Sequence, residues 1–91
     1  MSNSIVLFTM DDCGHCVNLK KELNELKISF NEIEINKNKK IWDQVVNQTG
    51  HNVIPTIYIK RENTDEGPVF VPGKDFESQD EAIKIIKKYI L

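Results

Sequence analysis

The apolar residues in the first third of the chain change their spacing twice, and each change marks a new element. Residues 5–8 are all apolar, within a strand predicted over 4–9 that is buried on both faces. Over residues 13–27, apolar side chains recur every three or four positions between charged ones, which predicts an amphipathic helix. Alternation over 30–35 predicts a strand with one polar face. The helix positions expected to face the core are Cys16, Leu19, Leu23 and Leu26.

A second helix and a third strand are predicted in the middle of the chain. Asn36 or Asn38 is placed to cap this helix, and Gly50 would end it. The strand over 56–60 begins directly after Pro55, which cannot donate a ladder hydrogen bond. The apolar residues that place the helix are Ile41, Trp42, Val45 and Val46.

The last third of the chain predicts a returning strand and a final helix. A short strand at 69–71 would pair with the preceding one, so the polar segment 61–68 becomes a long hairpin tip. Ser78 and Glu81 have the spacing of a capping box that begins a helix. The predicted order is therefore β-α-β-α-β-β-α, an α/β arrangement. The residues of the last helix expected in the core are Ala82, Ile85, Ile86, Tyr89 and Ile90.

Length and charge limit the classes of protein that the chain can represent. Its 91 residues predict one domain over 1–91. The 12 basic and 14 acidic residues are mixed and give a net charge of −2, so we expect neither a nucleic-acid nor a membrane partner. No apolar stretch resembles a signal peptide or a membrane span, and we expect a cytoplasmic, monomeric protein.

The only two cysteines form a Cys-Gly-His-Cys sequence at 13–16, where the first helix begins. Unpaired N–H groups and the helix dipole favour a thiolate at the first sulfur. Cys13 is therefore expected to be the exposed attacking nucleophile. Cys16, one turn into the helix, is expected to be more buried and to resolve the mixed disulfide that Cys13 forms.

Three residues beside the cysteines are expected to tune them. His15 can place positive charge near the thiolate, which favours the reduced form and makes the pair more oxidising. Asp11 and Asp12 act in the opposite direction, because neighbouring carboxylates disfavour a thiolate. The sequence leaves the balance of the two effects open.

Two structural explanations of the cysteine pair compete with redox chemistry. A zinc site needs about four ligands, and only His15 and His51 are available to complete one. A permanent disulfide across so short a loop would stabilise little and would be reduced in the cytoplasm. We therefore expect a redox site without a metal.

A second informative segment is Val53-Ile54-Pro55-Thr56. An X-Pro bond is the one place where a cis peptide has a small energetic cost. A cis bond before Pro55 would turn the backbone of Ile54 outward, where it could pair with an extended substrate. A trans proline that simply begins an edge strand is the alternative.

Taken in order, these segments resemble the glutaredoxin family of the thioredoxin fold. The matching points are Phe8-Thr9 leading to the cysteine pair, 53–55 in the place of the family's Thr-Val-Pro, and 73–76 in the place of its Gly-Gly-x-Asp. The resemblance implies a four-stranded mixed sheet of order 2-1-3-4, flanked by three helices. It also implies a glutathione groove beside Cys13, with glutathione as co-substrate.

By the same resemblance, the groove residues can be assigned. The main chain of Ile54, next to a cis Pro55, would pair with the cysteinyl part of glutathione. The backbone amides of Asp75 and Phe76, with the Asp75 side chain, would hold its γ-glutamyl end. Val53 and Thr9 complete the expected set.

The resemblance implies a dithiol oxidoreductase that reduces disulfide-containing or glutathionylated proteins. The chain departs from the family by having Gly14 and His15 between the cysteines, as in protein disulfide isomerases, and Met10 in the place of a lysine. One alternative is a thioredoxin-like hydrogen donor, for instance to ribonucleotide reductase, that a flavin reductase recharges. Another is a thiol module that carries a metal or half of an iron–sulfur cluster.

Overall fold

The first strand of the chain lies in the middle of the sheet. The computed structural model describes residues 3–64 and 67–90. In it, β1 (Ser4–Thr9) pairs in parallel with β2 (Asn31–Glu34) and antiparallel with β3 (Thr56–Lys60), and β3 pairs antiparallel with β4 (Val69–Phe70). The sheet order β2-β1-β3-β4 confirms the predicted topology.

Three helices cover the two faces of this sheet. They are α1 (Gly14–Glu25), α2 (Lys39–Thr49) and α3 (Gln79–Ile90), and a single 3₁₀ turn at Ile35–Lys37 joins β2 to α2. The element order is the predicted one. The predicted domain extent of 1–91 remains a prediction.

The core is divided by the sheet, because neighbouring residues of a strand point to opposite faces. Ile5 and Leu7 of β1 enter a cluster with residues of α1 and α3, whereas Val6 and Phe8 pack with Trp42 of α2. This two-sided burial explains why β1 is continuously apolar. The buried residues of the larger cluster, beyond Ile5 and Leu7, are Leu19, Leu23, Ile57, Ile59, Phe76, Ala82, Ile83 and Ile86.

Helix α1 ends earlier than its sequence pattern predicts. Lys27 adopts a left-handed conformation with φ 59°, and the Ile28 amide donates to the Leu23 carbonyl at 2.9 Å, which closes the helix end. Leu26 lies at this end and is 40% exposed, so its prediction as a core residue is wrong. Ile28 and Phe30, beyond the turn, pack against the cluster in its stead.

Helix α2 begins and ends where predicted, but its first cap uses different chemistry. Asn38 occupies the N-cap position, yet its side chain donates to the Glu34 carbonyl and caps no helix amide. Gly50 ends the helix with φ 76°, as predicted. Of the apolar residues of this helix, Trp42 is buried and Ile41 is 44% exposed.

The start of α3 has only half of the predicted capping box. The Glu81 amide donates to the Ser78 hydroxyl at 3.2 Å, but the Glu81 carboxylate accepts from the Glu77 amide, one residue before the expected partner. Ile83, absent from the predicted core, is buried in it. The predicted 61–68 tip includes Asp65 and Glu66, which lie outside the described residues.

Replacing Gly67→Ala should destabilise the protein. A Cβ at Gly67 would overlap the backbone carbonyl of Ile59, and this backbone is held in place because the Ile59 amide donates to the Pro68 carbonyl at 3.0 Å. We expect a loss of about 1–3 kcal/mol in the free energy of unfolding, measured by urea denaturation. Gly14→Ala is the control, because its Cβ would meet nothing within 4 Å. Equal stability of the two variants would show that the hairpin adapts.

Candidate active site

The two cysteines lie at the beginning of α1 and are joined by a disulfide. Cys13 is the N-cap residue with extended backbone angles, and its Cα lies 5.2 Å from that of Cys16. The Sγ of Cys13 accepts a hydrogen bond from the backbone N–H of Cys16 at 3.1 Å. Cys16 is 1% exposed, whereas Cys13 is only half-buried. An incoming thiol or disulfide therefore reaches Cys13 and not Cys16.

A tight turn carries the chain from β1 to the disulfide. The Cys13 amide donates to the Met10 carbonyl at 3.1 Å, so Asp11 and Asp12 lie at the exposed corners of the turn. His15 is also exposed. A sulfur anion at Cys13 would thus be stabilised by the Cys16 amide and disfavoured by two adjacent carboxylates.

The segment before β3 has the predicted cis bond between Ile54 and Pro55. Pro55 is buried and Ile54 half-buried, while Val53 is 40% exposed. Within residues 3–64 and 67–90, neither the amide nor the carbonyl of Ile54 makes a hydrogen bond. A peptide-like ligand can therefore use both backbone groups.

A groove of about 460 Å³ lies between the start of α1, where His15 lines it, and the start of α3. Four residues with predicted roles line it: His15, Ile54, Pro55 and Phe76. The other predicted site residues do not line it: Cys13, Cys16, Thr9, Val53 and Asp75. The groove residues that sequence reasoning missed are Leu19, Pro72, Gly73, Glu77, Ser78, Gln79 and Ala82.

Most of the missed residues belong to the first turn of α3 and the segment before it. The capping sequence from Ser78 located this helix start, but nothing in the sequence indicated that it would face α1. In the structure, the Gln79 amide group donates to the Glu22 carboxylate of α1. This bond ties the start of α3 to the last turn of α1.

The carboxylate and the backbone amide of Asp75 both form hydrogen bonds within its own turn. Its carboxylate accepts from the Val71 amide at 2.7 Å, and its amide donates to the Val71 carbonyl at 2.9 Å. The Phe76 side chain is buried among core residues, although it also borders the groove. The structure thus gives Asp75 the local task of closing the turn, and its assignment to glutathione stays a prediction.

Thr9 does not line the groove and is hydrogen-bonded to the neighbouring strand β2. It is 1% exposed, and its hydroxyl donates to Oε2 of Glu32 on β2 at 2.6 Å. The same oxygen accepts from Lys20 of α1 at 2.8 Å. The hydrogen bond from Lys20, and to a smaller extent that from Thr9, holds the pKa of Glu32 below its ordinary value of 4.5. Partial burial opposes this shift. Thr9 therefore helps to join β1, β2 and α1 below the cysteines.

Two other kinds of site are absent from the part of the chain that the structure describes. No three His, Cys, Asp or Glu side chains come together there as a metal would require. None of its helices is long and apolar enough to cross a membrane.

Comparison with known proteins agrees with the geometry. The sequence model of the glutaredoxin family matches residues 5–63 of this chain. A curated glutaredoxin from Vernicia fordii is 30% identical over 61 residues, which are 64% of this chain and 59% of that protein. The chain thus spans about three fifths of the length of the curated relative that it matches.

Two solved structures are similar over most of the chain. A crystal structure of a buckwheat glutaredoxin–glutathione complex has a TM-score of 0.59 and 22% identity, and the similarity covers 94% of this chain and 70% of that one. Thioredoxin f2 of Chlamydomonas reinhardtii has a TM-score of 0.65 and 24% identity, covering 96% and 78%. At these identities the similarity shows the thioredoxin fold.

Replacing Glu32→Gln should lower stability in a pH-dependent way. Since the pKa of Glu32 is lower in the folded state, its bonds stabilise the protein above pH 4.5, and this contribution is lost as pH falls through the folded-state pKa. We expect a loss of less than about 1 kcal/mol at pH 7, because the pair is partly exposed. Urea denaturation between pH 3 and 7 would measure it. The exposed Glu25→Gln is the control; a difference that grows on acidification would contradict this assignment.

Proposed function

Because the chain belongs to the glutaredoxin family, we propose that it is a glutathione-dependent dithiol oxidoreductase that reduces protein disulfides and glutathione mixed disulfides. One observation carries the proposal. The sulfur of the half-buried Cys13, at the N-cap of α1, accepts a hydrogen bond from the amide of the buried Cys16, and His15 between the two cysteines lines a groove.

In the reduced protein, the reaction would begin with the Cys13 thiolate. It attacks one sulfur of a substrate disulfide, forming a mixed disulfide with Cys13 while the other sulfur leaves as a thiolate and takes up a proton. The Cys16 thiolate then attacks the Sγ of Cys13 and releases the second substrate thiol. Two electrons have passed to the substrate, and the Cys13–Cys16 disulfide seen in the structure has formed.

Glutathione would return the protein to the dithiol. One glutathione thiolate attacks the half-buried Cys13, since Cys16 is not reachable, and Cys16 leaves as a thiolate. A second glutathione attacks the sulfur of the bound one, which frees Cys13 and yields oxidised glutathione. Two glutathione thiols are thus oxidised to one disulfide for each Cys13–Cys16 disulfide that is reduced.

The groove supports glutathione as the donor. Ile54 offers an unpaired amide and carbonyl next to Pro55, which suits the backbone of a tripeptide. The buckwheat glutaredoxin of similar fold was solved as its glutathione complex. In this protein the same ligand would lie between His15 and the start of α3.

A second donor is favoured by the charge around Cys13. Asp11 and Asp12 lie at exposed corners next to the sulfur, and no Lys or Arg is present in 10–16. Carboxylates there repel the carboxylates of glutathione. The alternative function is a thioredoxin-like hydrogen donor, for instance to ribonucleotide reductase, that a flavin reductase recharges.

The same proposal includes the setting of the reaction. A pair that must return to the dithiol state fits a reducing compartment such as the cytoplasm. The protein would act as a monomer. Its partners would be disulfide-containing or glutathionylated proteins.

A paired recycling assay would distinguish the two donors. Both assays contain the protein and a disulfide substrate. One is recycled by glutathione and glutathione reductase, and the other by thioredoxin reductase alone. The rate of NADPH consumption is measured in each. We expect turnover at least tenfold faster with glutathione. Faster turnover with thioredoxin reductase would replace the glutathione proposal by its alternative.

Single cysteine variants would test the two sulfur roles. Cys13→Ser should abolish turnover, because it removes the reachable nucleophile. Cys16→Ser should retain activity on a glutathionylated peptide, where glutathione can release Cys13, but lose the reduction of insulin disulfides. Equal behaviour of the two variants on both substrates would show that the assigned roles are wrong.

A further inference from the structure

A single hydrogen bond connects α2 to the middle of the segment that leads to the groove. Nε1 of Trp42 donates to Oδ1 of Asn52 at 2.9 Å. We propose that Trp42 and Asn52 are positioning residues, which hold the 50–55 loop so that Ile54 presents its backbone to an extended substrate. This inference rests on the proposed function, because it concerns the same groove.

Trp42 is a rigid donor. It is 7% exposed and packs against Val6 and Phe8 of β1, with its ring centroid 5.5 Å from that of Phe8 and the two planes at 39°. A ring fixed in a core points its N–H in one direction only. The position of the Asn52 side chain is therefore set by the packing of the core.

The loop depends on side chains because its backbone is almost unpaired. Across the described residues, no backbone–backbone hydrogen bond involves 51–55. Thr49 holds the near end through the His51 amide at 3.2 Å, and Thr56 holds the far end through the Val53 carbonyl at 2.7 Å. Asn52 supplies the bond between these two ends.

The loop contacts the same core cluster again just before the groove. Ile54 packs against the cluster of Val6, Phe8 and Trp42, and it also lines the groove with Pro55. Loss of the Trp42–Asn52 bond would leave Ile54 packed only by apolar contacts. Its backbone groups would then spend less time in the orientation that an extended substrate needs.

The test compares Asn52→Ala with the conservative Asn52→Asp. Asn52 is exposed, so neither change removes a core side chain. For Asn52→Ala we expect the KM for a glutathionylated peptide to rise about two- to tenfold, the effect of one net hydrogen bond, with kcat little changed. Asn52→Asp keeps an acceptor oxygen and should restore KM when the assays are run at high ionic strength, where its added charge is screened. Alkylation of reduced Cys13 by iodoacetamide should proceed at the same rate in all variants.

Two further variants separate positioning from general stability. Trp42→Phe keeps an aromatic ring but removes the donor, so it should raise KM as much as Asn52→Ala, and the double variant should raise it no further. Asn47→Ala, an exposed asparagine of α2, is the matched control and should leave KM unchanged. An unchanged KM in Asn52→Ala, or no recovery in Asn52→Asp, would overturn the inference.

A failure of the proposed function would look different. In that case the wild-type protein would not reduce the glutathionylated peptide but would still reduce insulin with another donor. The KM for a disulfide-linked peptide, which is also an extended substrate, then gives the same comparison among the variants with that donor. A raised KM in Asn52→Ala would then support positioning by Trp42 and Asn52, and an unchanged KM would overturn it.

Discussion

The burial of β1 on both faces is the constraint on which the rest of this protein depends. Ile5 and Leu7 pack under α1 and α3, and Val6 and Phe8 pack against α2. A shift of one residue in its pairing would exchange the two faces, so the register is fixed. The point where the chain leaves the sheet is therefore fixed too, and with it the turn that brings Cys13 to the start of α1.

The groove is made from three segments that are distant in sequence. The start of α1 carries the cysteines, the 50–55 loop carries Ile54, and the start of α3 forms the facing wall. Each is attached by polar side-chain bonds, such as those of Trp42 with Asn52 and of Gln79 with Glu22. Backbone groups stay unpaired where a ligand is expected, and side chains supply the order that a helix or strand ladder would otherwise provide.

Sequence reasoning succeeded where the cause is local. The strand at β1, the end of α2 at Gly50 and the bond before Pro55 all follow from neighbouring residues. It failed where the position of a side chain depends on a distant surface. Leu26 fits a helical spacing but is 40% exposed at the end of α1.

The sequence by itself determined the chemistry: two cysteines one helical turn apart, at a position where backbone amides stabilise a sulfur anion. Helix capping and apolar periodicity depend on residues that are close in sequence, so both can be predicted from the sequence alone. Only the tertiary structure decided that Thr9 donates to Glu32 and that Asp75 closes its own turn. These outcomes depend on which surfaces meet when the helices pack on the sheet, and no local pattern in the sequence contains that information.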